Sequence, residues 1–164
     1  MPARRRAVVR LAAGVRSVTG RKPVEAARLR LSNSKNINPT QVRTLFRAAG
    51  WTEDLSRYSL PQIQKVLRHS HLVLSAWEGK KLIGLASAVS DGVLCGMVQN
   101  LVVHPGHRRR GLGSRLLKEL ARIIDRQGVS HLYALGTTGE AARRFYGPIG
   151  FRALDWKVFV RLTR

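Results

Sequence analysis

The chain has 164 residues, of which 44% are hydrophobic, enough for one domain with a buried core. With 30 Lys and Arg against 9 Asp and Glu, its formal charge is +21, which suits anionic partners such as nucleic acid, acidic lipid or a polyphosphate ligand. A lone cysteine, Cys95, excludes an intrachain disulfide, no apolar run approaches the ~18 residues of a membrane span, and the start lacks the compact apolar core of a secretory signal.

The charge divides unevenly. Residues 1–36 hold 10 basic residues and a single acid, Glu25, a net of +9, which leaves 20 and 8, a net of +12, for residues 37–164. This reads as a basic arm at 1–36 ahead of a folded domain at 37–164. The arm has the composition of an organelle transit segment, of an RNA-binding extension that orders on its partner, or of a solvated tail. The cytoplasm is the expected compartment, with a mitochondrion or plastid as the alternative.

"ARLRLSN" alternates weakly, as a first strand does. "NPTQVRTLFRAAG" predicts a helix capped by Asn38, with Pro39 at its first position, Gly50 at its end and Val42, Leu45, Phe46 and Ala49 inward. "LPQIQKVLRHS" predicts a second helix with Ile63, Val66 and Leu67 inward. "HLVLSAWE" and "LIGLASAVS", joined at "GKK", predict a hairpin, and Asp91-Gly92 turns the chain into a third antiparallel strand, "VLCGMVQNLVV". "GLGSRLLKELARIIDRQG" is an amphipathic helix, with Leu112, Leu116, Leu117, Leu120, Ile123 and Ile124 on one side and Gly128 as its end. A strand "VSHLYAL", a helix "GEAARRFYGPIG" broken at Pro148 and a last strand or strand pair "FRALDWKVFVRL" complete the order. The class is α/β (α+β), a mixed sheet of about six or seven strands with helices on both faces, and residues 93–135 form a parallel crossover.

"HPGHRRRGLGS" joins the third central strand to the amphipathic helix. A helix start offers unpaired N–H groups and the positive end of the dipole. Gly111 and Gly113 permit close backbone approach, and Arg108, Arg109 and Arg110 add charge, which together make a phosphate cradle. The loop is not a P-loop, for no Gly-Lys-Ser/Thr follows, and not a dinucleotide fingerprint, for its third glycine position is Leu116. The bland alternative is a tight turn with solvated arginines.

Arg108-x-x-Gly111-x-Gly113 after a strand, with Phe145, Tyr146, Gly150 and Phe151 further on, resembles the two signatures of the GNAT acetyltransferase superfamily over about residues 37–164. The resemblance implies the GNAT fold and acetyl-CoA as donor. The pyrophosphate is expected on the backbone of Arg109, Arg110, Gly111, Leu112, Gly113 and Ser114, with Arg108 adding charge. The pantetheine arm is expected along Leu101, Val102 and Val103, where the strand bulges at "QNL" and splays from the next one. Tyr146 takes the place of the family's general acid. A thiol titrates near ~8.5 and a phenol near ~10, so full proton transfer to the thiolate is uphill by ~2 kcal/mol, and a strengthening hydrogen bond serves as well.

The position where many relatives carry a carboxylate holds Gln99 and Asn100, neither able to take a proton, and Asn100 is left to orient a water or the substrate amine. His69, His71, His104, His107, Asp91 and Glu140 are read as loop or surface residues, and Gly139 stands where relatives often have asparagine. The histidines lack metal-ligand spacing, so no metal site is expected, and Cys95 is expected as a buried thiol in a strand. The readings in play are an N-acetyltransferase for a small or peptide amine, an RNA-bound ribonucleoprotein component with the acetyl-CoA pocket retained, for example in an organellar ribosome, and an acetyl-CoA-binding regulator.

Overall fold

The computed structural model describes residues 29–136 and 139–154. Its strands are β1 (Leu29–Ser32), β2 (Leu72–Glu78), β3 (Lys81–Ser90), β4 (Cys95–Val103) and β5 (His131–Ala134). Its helices are α1 (Pro39–Ala48), α2 (Leu60–His69), α3 (Leu112–Arg126) and α4 (Glu140–Tyr146). The strands lie side by side in chain order, antiparallel except that β4 and β5 run parallel across the α3 crossover. The sheet has five strands among the described residues, against the six or seven expected. The difference falls at the end of the chain, where Phe151–Leu154 form no strand and the rest of the expected final strand lies outside the described residues. β1 falls within residues 1–36 and pairs with β2 from Leu29↔Glu78 to Ser32↔Ser75, so the sheet starts upstream of residue 37.

Local chemistry sets the helix starts. The Asn38 side chain accepts from the Thr40 N–H at 2.9 Å ahead of Pro39. α2 opens on a reciprocal capping box that the sequence reading passed over: Ser59 Oγ accepts from the Gln62 N–H, and Gln62 Oε1 accepts from the Ser59 N–H at 2.9 Å. At the β3–β4 turn, Asp91 Oδ1 accepts from Val93, Leu94 and Cys95 N–H. These bonds, led by that from Val93, hold the carboxyl below the usual aspartate range. Cys95 corrects the expectation of a buried thiol. It is exposed, its Sγ 3.7 Å from Asp91 Oδ2, because no described helix covers this end of β4.

Two cores sandwich the sheet. Val42, Leu45, Phe46, Ile63 and Leu67 of α1 and α2 pack against Val73, Leu82, Leu85 and Val102. Leu112, Leu116, Leu120 and Ile124 of α3 pack on the other face against Leu72, Leu74, Ala76, Ile83, Ala86 and Ala88. Each buried leucine or isoleucine contributes about 1.5–3 kcal/mol. α3 sits close because β3 carries Gly84 beneath it: a Cβ there would stand 2.9 Å from Leu116 Cδ1 and 3.4 Å from Ala76 Cβ. Among the described residues no helix is long and apolar enough to cross a membrane.

Gly84 and Leu116 are therefore coupled. Gly84→Ala is expected to destabilise by about 1–3 kcal/mol through overpacking, and Leu116→Ala by about 2–5 kcal/mol through a cavity. The double variant should cost clearly less than the sum, since the new methyl enters the space Leu116 vacates. Urea unfolding of the four proteins measures this, and strict additivity would show that the two residues do not press on each other.

Candidate active site

β4 carries one residue more than β3 can pair. Ser87 faces Asn100 and Ala88 faces Val98, so Gln99 is the bulged residue, at the expected "QNL". Before the bulge, β4 pairs with β5 from Cys95↔His131 to Val98↔Ala134. After it, β4 runs on to Val103 with no parallel partner among the described residues. A bulge bends its strand and raises the local twist, which carries this half of β4 away from β5 and leaves one edge open.

That edge leads to a cleft of about 400 Å³ lined by Ala49, Trp51, Leu101, Val102, Val103, Arg108, Gly113 and Phe145. The structure thus brings Leu101, Val102, Val103, Arg108 and Gly113 together as the sequence suggested. Arg109 lines a second cavity of about 850 Å³ with Glu140, Ala141, Arg144 and Phe145, and Phe145 stands between the two. Arg110, Gly111 and Ser114 line neither cavity, and Leu112 is buried in the α3 core.

At the cleft's end α3 starts without a side-chain cap, on Gly111 in the left-handed conformation at φ 76°. The first amide of the helix turned back on the chain is that of Arg115, which donates to Gly111 O at 3.0 Å. The N–H groups of Leu112, Gly113 and Ser114 are those a helix start leaves for an anion. Gly113 keeps the approach open: a Cβ there would lie 3.7 Å from both Phe145 Cε2 and Val103 Cγ2, so a methyl fits and anything larger meets the wall. Arg109 is the one described non-glycine residue with positive φ, 59°.

Arg108 is not a free cation. Its Nε donates to Val103 O at 3.1 Å and its Nη2 to Ala49 O at 3.0 Å, so the guanidinium ties the end of β4 to the C-terminal end of α1. His107 pins the same loop to the β2–β3 hairpin, its Nε2 3.3 Å from Glu78 Oε2 and its Nδ1 buried without a partner. His104 N donates to Ile83 O at 2.9 Å. The His104 imidazole is held below the usual histidine range by burial first, then by Lys81, His107 and Arg108.

Asn100 Nδ2 donates to Ser87 Oγ at 2.9 Å across the strands, which leaves its Oδ1 as the remaining acceptor. Tyr146 does not line the cleft. Its ring meets Phe145 edge-on at 4.9 Å and Phe151 at 5.7 Å, and it lies over Gly136, where a Cβ would come within 3.1 Å of Cε2 and 3.3 Å of the hydroxyl. Trp51, Phe145 and Gly136 were not singled out as site residues. Only the Phe-Tyr signature pointed toward Phe145. Glu140 pairs with Arg144, His71 with Gln127, and Asp91 with its own turn, and none of the three lines the 400 Å³ cleft. Among the described residues no group of three His, Cys, Asp or Glu could hold a metal ion.

Residues 39–151 match the family described as Acetyltransferase (GNAT) family. An uncharacterized N-acetyltransferase ycf52 of Porphyra purpurea is 26% identical over 132 residues, which is 78% of this chain and 72% of that protein. The GCN5-related N-acetyltransferase 1, chloroplastic, of Arabidopsis thaliana is 25% identical over 139 residues, covering 80% and 66%. A GNAT family acetyltransferase from Streptococcus pneumoniae superposes with a TM-score of 0.67 at 25% identity, covering 83% of this chain and 98% of that one. AAC(6')-Iy, solved with the bisubstrate analogue CoA-S-monomethyl-acetylneamine, has the same fold, with a TM-score of 0.65 at 16% identity over 83% of this chain and 99% of that one. The open edge of β4, the glycine loop and the uncapped α3 thus stand in a chain that belongs to the GNAT family of N-acetyltransferases.

Proposed function

We propose that this chain carries acetyl from acetyl-CoA to a primary amine by direct attack on the thioester, with the donor along the open edge of β4 and its pyrophosphate on the start of α3. The observation that carries this reading is the bulge at Gln99, which frees Leu101–Val103 and aims them at Gly113. Backbone groups of Leu101, Val102 and Val103 meet the amides of the donor's arm as a neighbouring strand would. The N–H groups from Arg109 to Ser114, with Arg109 and Arg110 beside them, hold the phosphates. Acetyl-CoA supplies an acetyl group already activated as a thioester.

Trp51 and Ala49 wall the cleft on the α1 side, where the acceptor enters. Among the described residues, the 400 Å³ cleft has no carboxylate and no histidine in its wall. An amine near pKa ~10.4 is about one part in 10³ neutral at pH 7, and only that form attacks. Its proton leaves by solvent, and to Asn100 Oδ1, the acceptor that the bond from Nδ2 to Ser87 leaves over, we assign the holding of a water or of the amine itself. Tyr146, backed by Gly136, Phe145 and Phe151, gives a hydrogen bond that strengthens as charge grows on the leaving sulfur. The acceptors named for relatives differ: a histone in the name of the Glycine max protein TAP1 and aminoglycosides for the solved neighbours. The shared feature is an amine, and that is the acceptor class proposed.

Three measurements test this. Gly113→Trp fills the approach to the cradle, and acetyl-CoA affinity should fall more than about tenfold, ~1.4 kcal/mol; unchanged calorimetric affinity in a folded variant would remove the cradle reading. Tyr146→Phe should lower kcat about 10²-fold with acetyl-CoA binding intact, and wild-type kcat with chemistry rate-limiting would leave Tyr146 a packing residue. With no base in the cleft, kcat/KM for the amine should climb tenfold per pH unit from about 6 to 9, following the neutral amine. A plateau setting in near neutrality would point to an internal base and sink the solvent route.

A further inference from the structure

The outer faces of α1 and α2 carry charge of one sign only. Neither helix contains an Asp or Glu; the nearest acids, Glu53 and Asp54, lie in the link between them, where Glu53 faces Arg57. Both helices bury their apolar sides in the same core, through Val42, Leu45 and Phe46 and through Ile63 and Leu67. Arg47, Lys65 and Arg68 are exposed on the sides turned away, and Arg43 is partly so. None of these four forms an ion pair among the described residues. The other helices behave differently: α3 spends Arg122 on Glu119, and α4 spends Arg144 on Glu140.

This charge has no part in holding the donor. None of the four residues lines either cavity. It is not explained by packing either, since a run of unpaired cations on neighbouring helices is self-repelling. We propose that the α1–α2 face is a docking surface for the phosphodiester backbone of a single-stranded nucleic acid, made by Arg43, Arg47, Lys65 and Arg68.

The chemistry of the face selects this partner over others. A specific protein interface is built around buried apolar or aromatic anchors, and none of the exposed large hydrophobic residues lies on α1 or α2. A helix that lies in a membrane surface sinks an apolar face into lipid, and here both apolar faces are taken by the core. What remains is a set of point charges without shape-reading groups, which suits a regular polyanion bound by counterion release, independent of sequence. Lys35, whose Nζ donates to Arg68 O at 3.3 Å, brings the chain that follows the basic residues 1–28 against α2. The inference stands apart from acetyl transfer and does not rest on it.

The test compares the full-length chain with its full-length variant R43Q/R47Q/K65Q/R68Q, in which glutamine keeps helix propensity. Binding of labelled oligo-A and oligo-U RNA and oligo-dT DNA is followed from about 50 to 200 mM salt, the range over which phosphate contacts lose most of their affinity. Each single-strand phosphate contact adds about −0.7 to the slope of log affinity against log salt, so loss of four should flatten it by about 2.8 on every probe. Acetyl-CoA binding and the thermal midpoint should hold. Equal slopes for the two proteins would overturn the proposal. So would failure of the full-length chain to bind any probe. Poly-glutamate that binds as tightly as RNA, and loses as much in the variant, would also overturn it and assign the face to an acidic protein partner.

Discussion

One unpaired residue governs the working half of the molecule. Gln99 has no opposite on β3, and the strand that contains it loses a neighbour there: the four residues from Cys95 to Val98 pair with β5, while Asn100 to Val103 pair, among the described residues, with β3 alone. An open edge inside a sheet is normally a defect that proteins cover or twist away. Here the surroundings are arranged to keep it open. α1 ends beside it with Ala49 and Trp51, α4 sends Phe145 against its far side, and α3 begins at its end with a glycine in place of a side chain. The donor proposed for this edge has amide groups, which would satisfy the same backbone groups a further strand would.

The edge is useful only if the loop after it stays in register with it. Three tethers do this: His104 N to Ile83 O, His107 to Glu78, and Arg108 to both Val103 O and Ala49 O. Arg108 does two jobs with one group. It closes the turn on its own strand, and it places a positive charge on the carbonyl end of α1, where the helix dipole is negative. Hydrogen bonds from a charged donor are worth about 1.5–3 kcal/mol when sheltered, less at this exposed position. The next residue shows the cost of the loop: Arg109 sits at φ 59°, where a side chain loses about 1–2 kcal/mol. Strain of this kind persists where the surroundings over-determine the backbone, and the tethers on either flank supply that constraint.

Much of this could be read before any coordinates. Asn38-Pro39 marks the start of α1 and Gly111 the uncapped start of α3, because each depends on neighbours in the chain, and the family resemblance places the bulge at "QNL". What escaped depends on contacts across it. The arginine motif shows three cations, and nothing local says that one is consumed by a carbonyl 59 residues away. Trp51 reads as a loop aromatic until α1 brings it to β4. Gly136 reads as a turn residue until Tyr146 folds over it. Cys95 has the surroundings of a core strand residue in sequence, yet the turn held by Asp91 leaves it in solvent. The capping box at Ser59 and Gln62 is a different case: its Ser-x-x-Gln spacing is local and stands in the sequence itself.

The basic character of the chain bears on the chemistry as well as on its partners. Of the acids among the described residues, Glu53, Glu78, Glu119 and Glu140 face Arg57, His107, Arg122 and Arg144, and Asp91 caps a turn. Asp54 and Asp125 remain, and neither lines the cleft. Among the described residues, then, no carboxylate stands in the wall of the cleft, while the chain as a whole carries a formal charge of +21. Like charge disfavours the ammonium form of an amine brought near it, so on the proposed reading a positive field favours the neutral nucleophile. The same field opposes the first encounter with a cationic acceptor. On that reading the charge of the chain acts in opposite senses on the two substrates: it draws in an anionic donor and resists an amine until the amine has lost its proton.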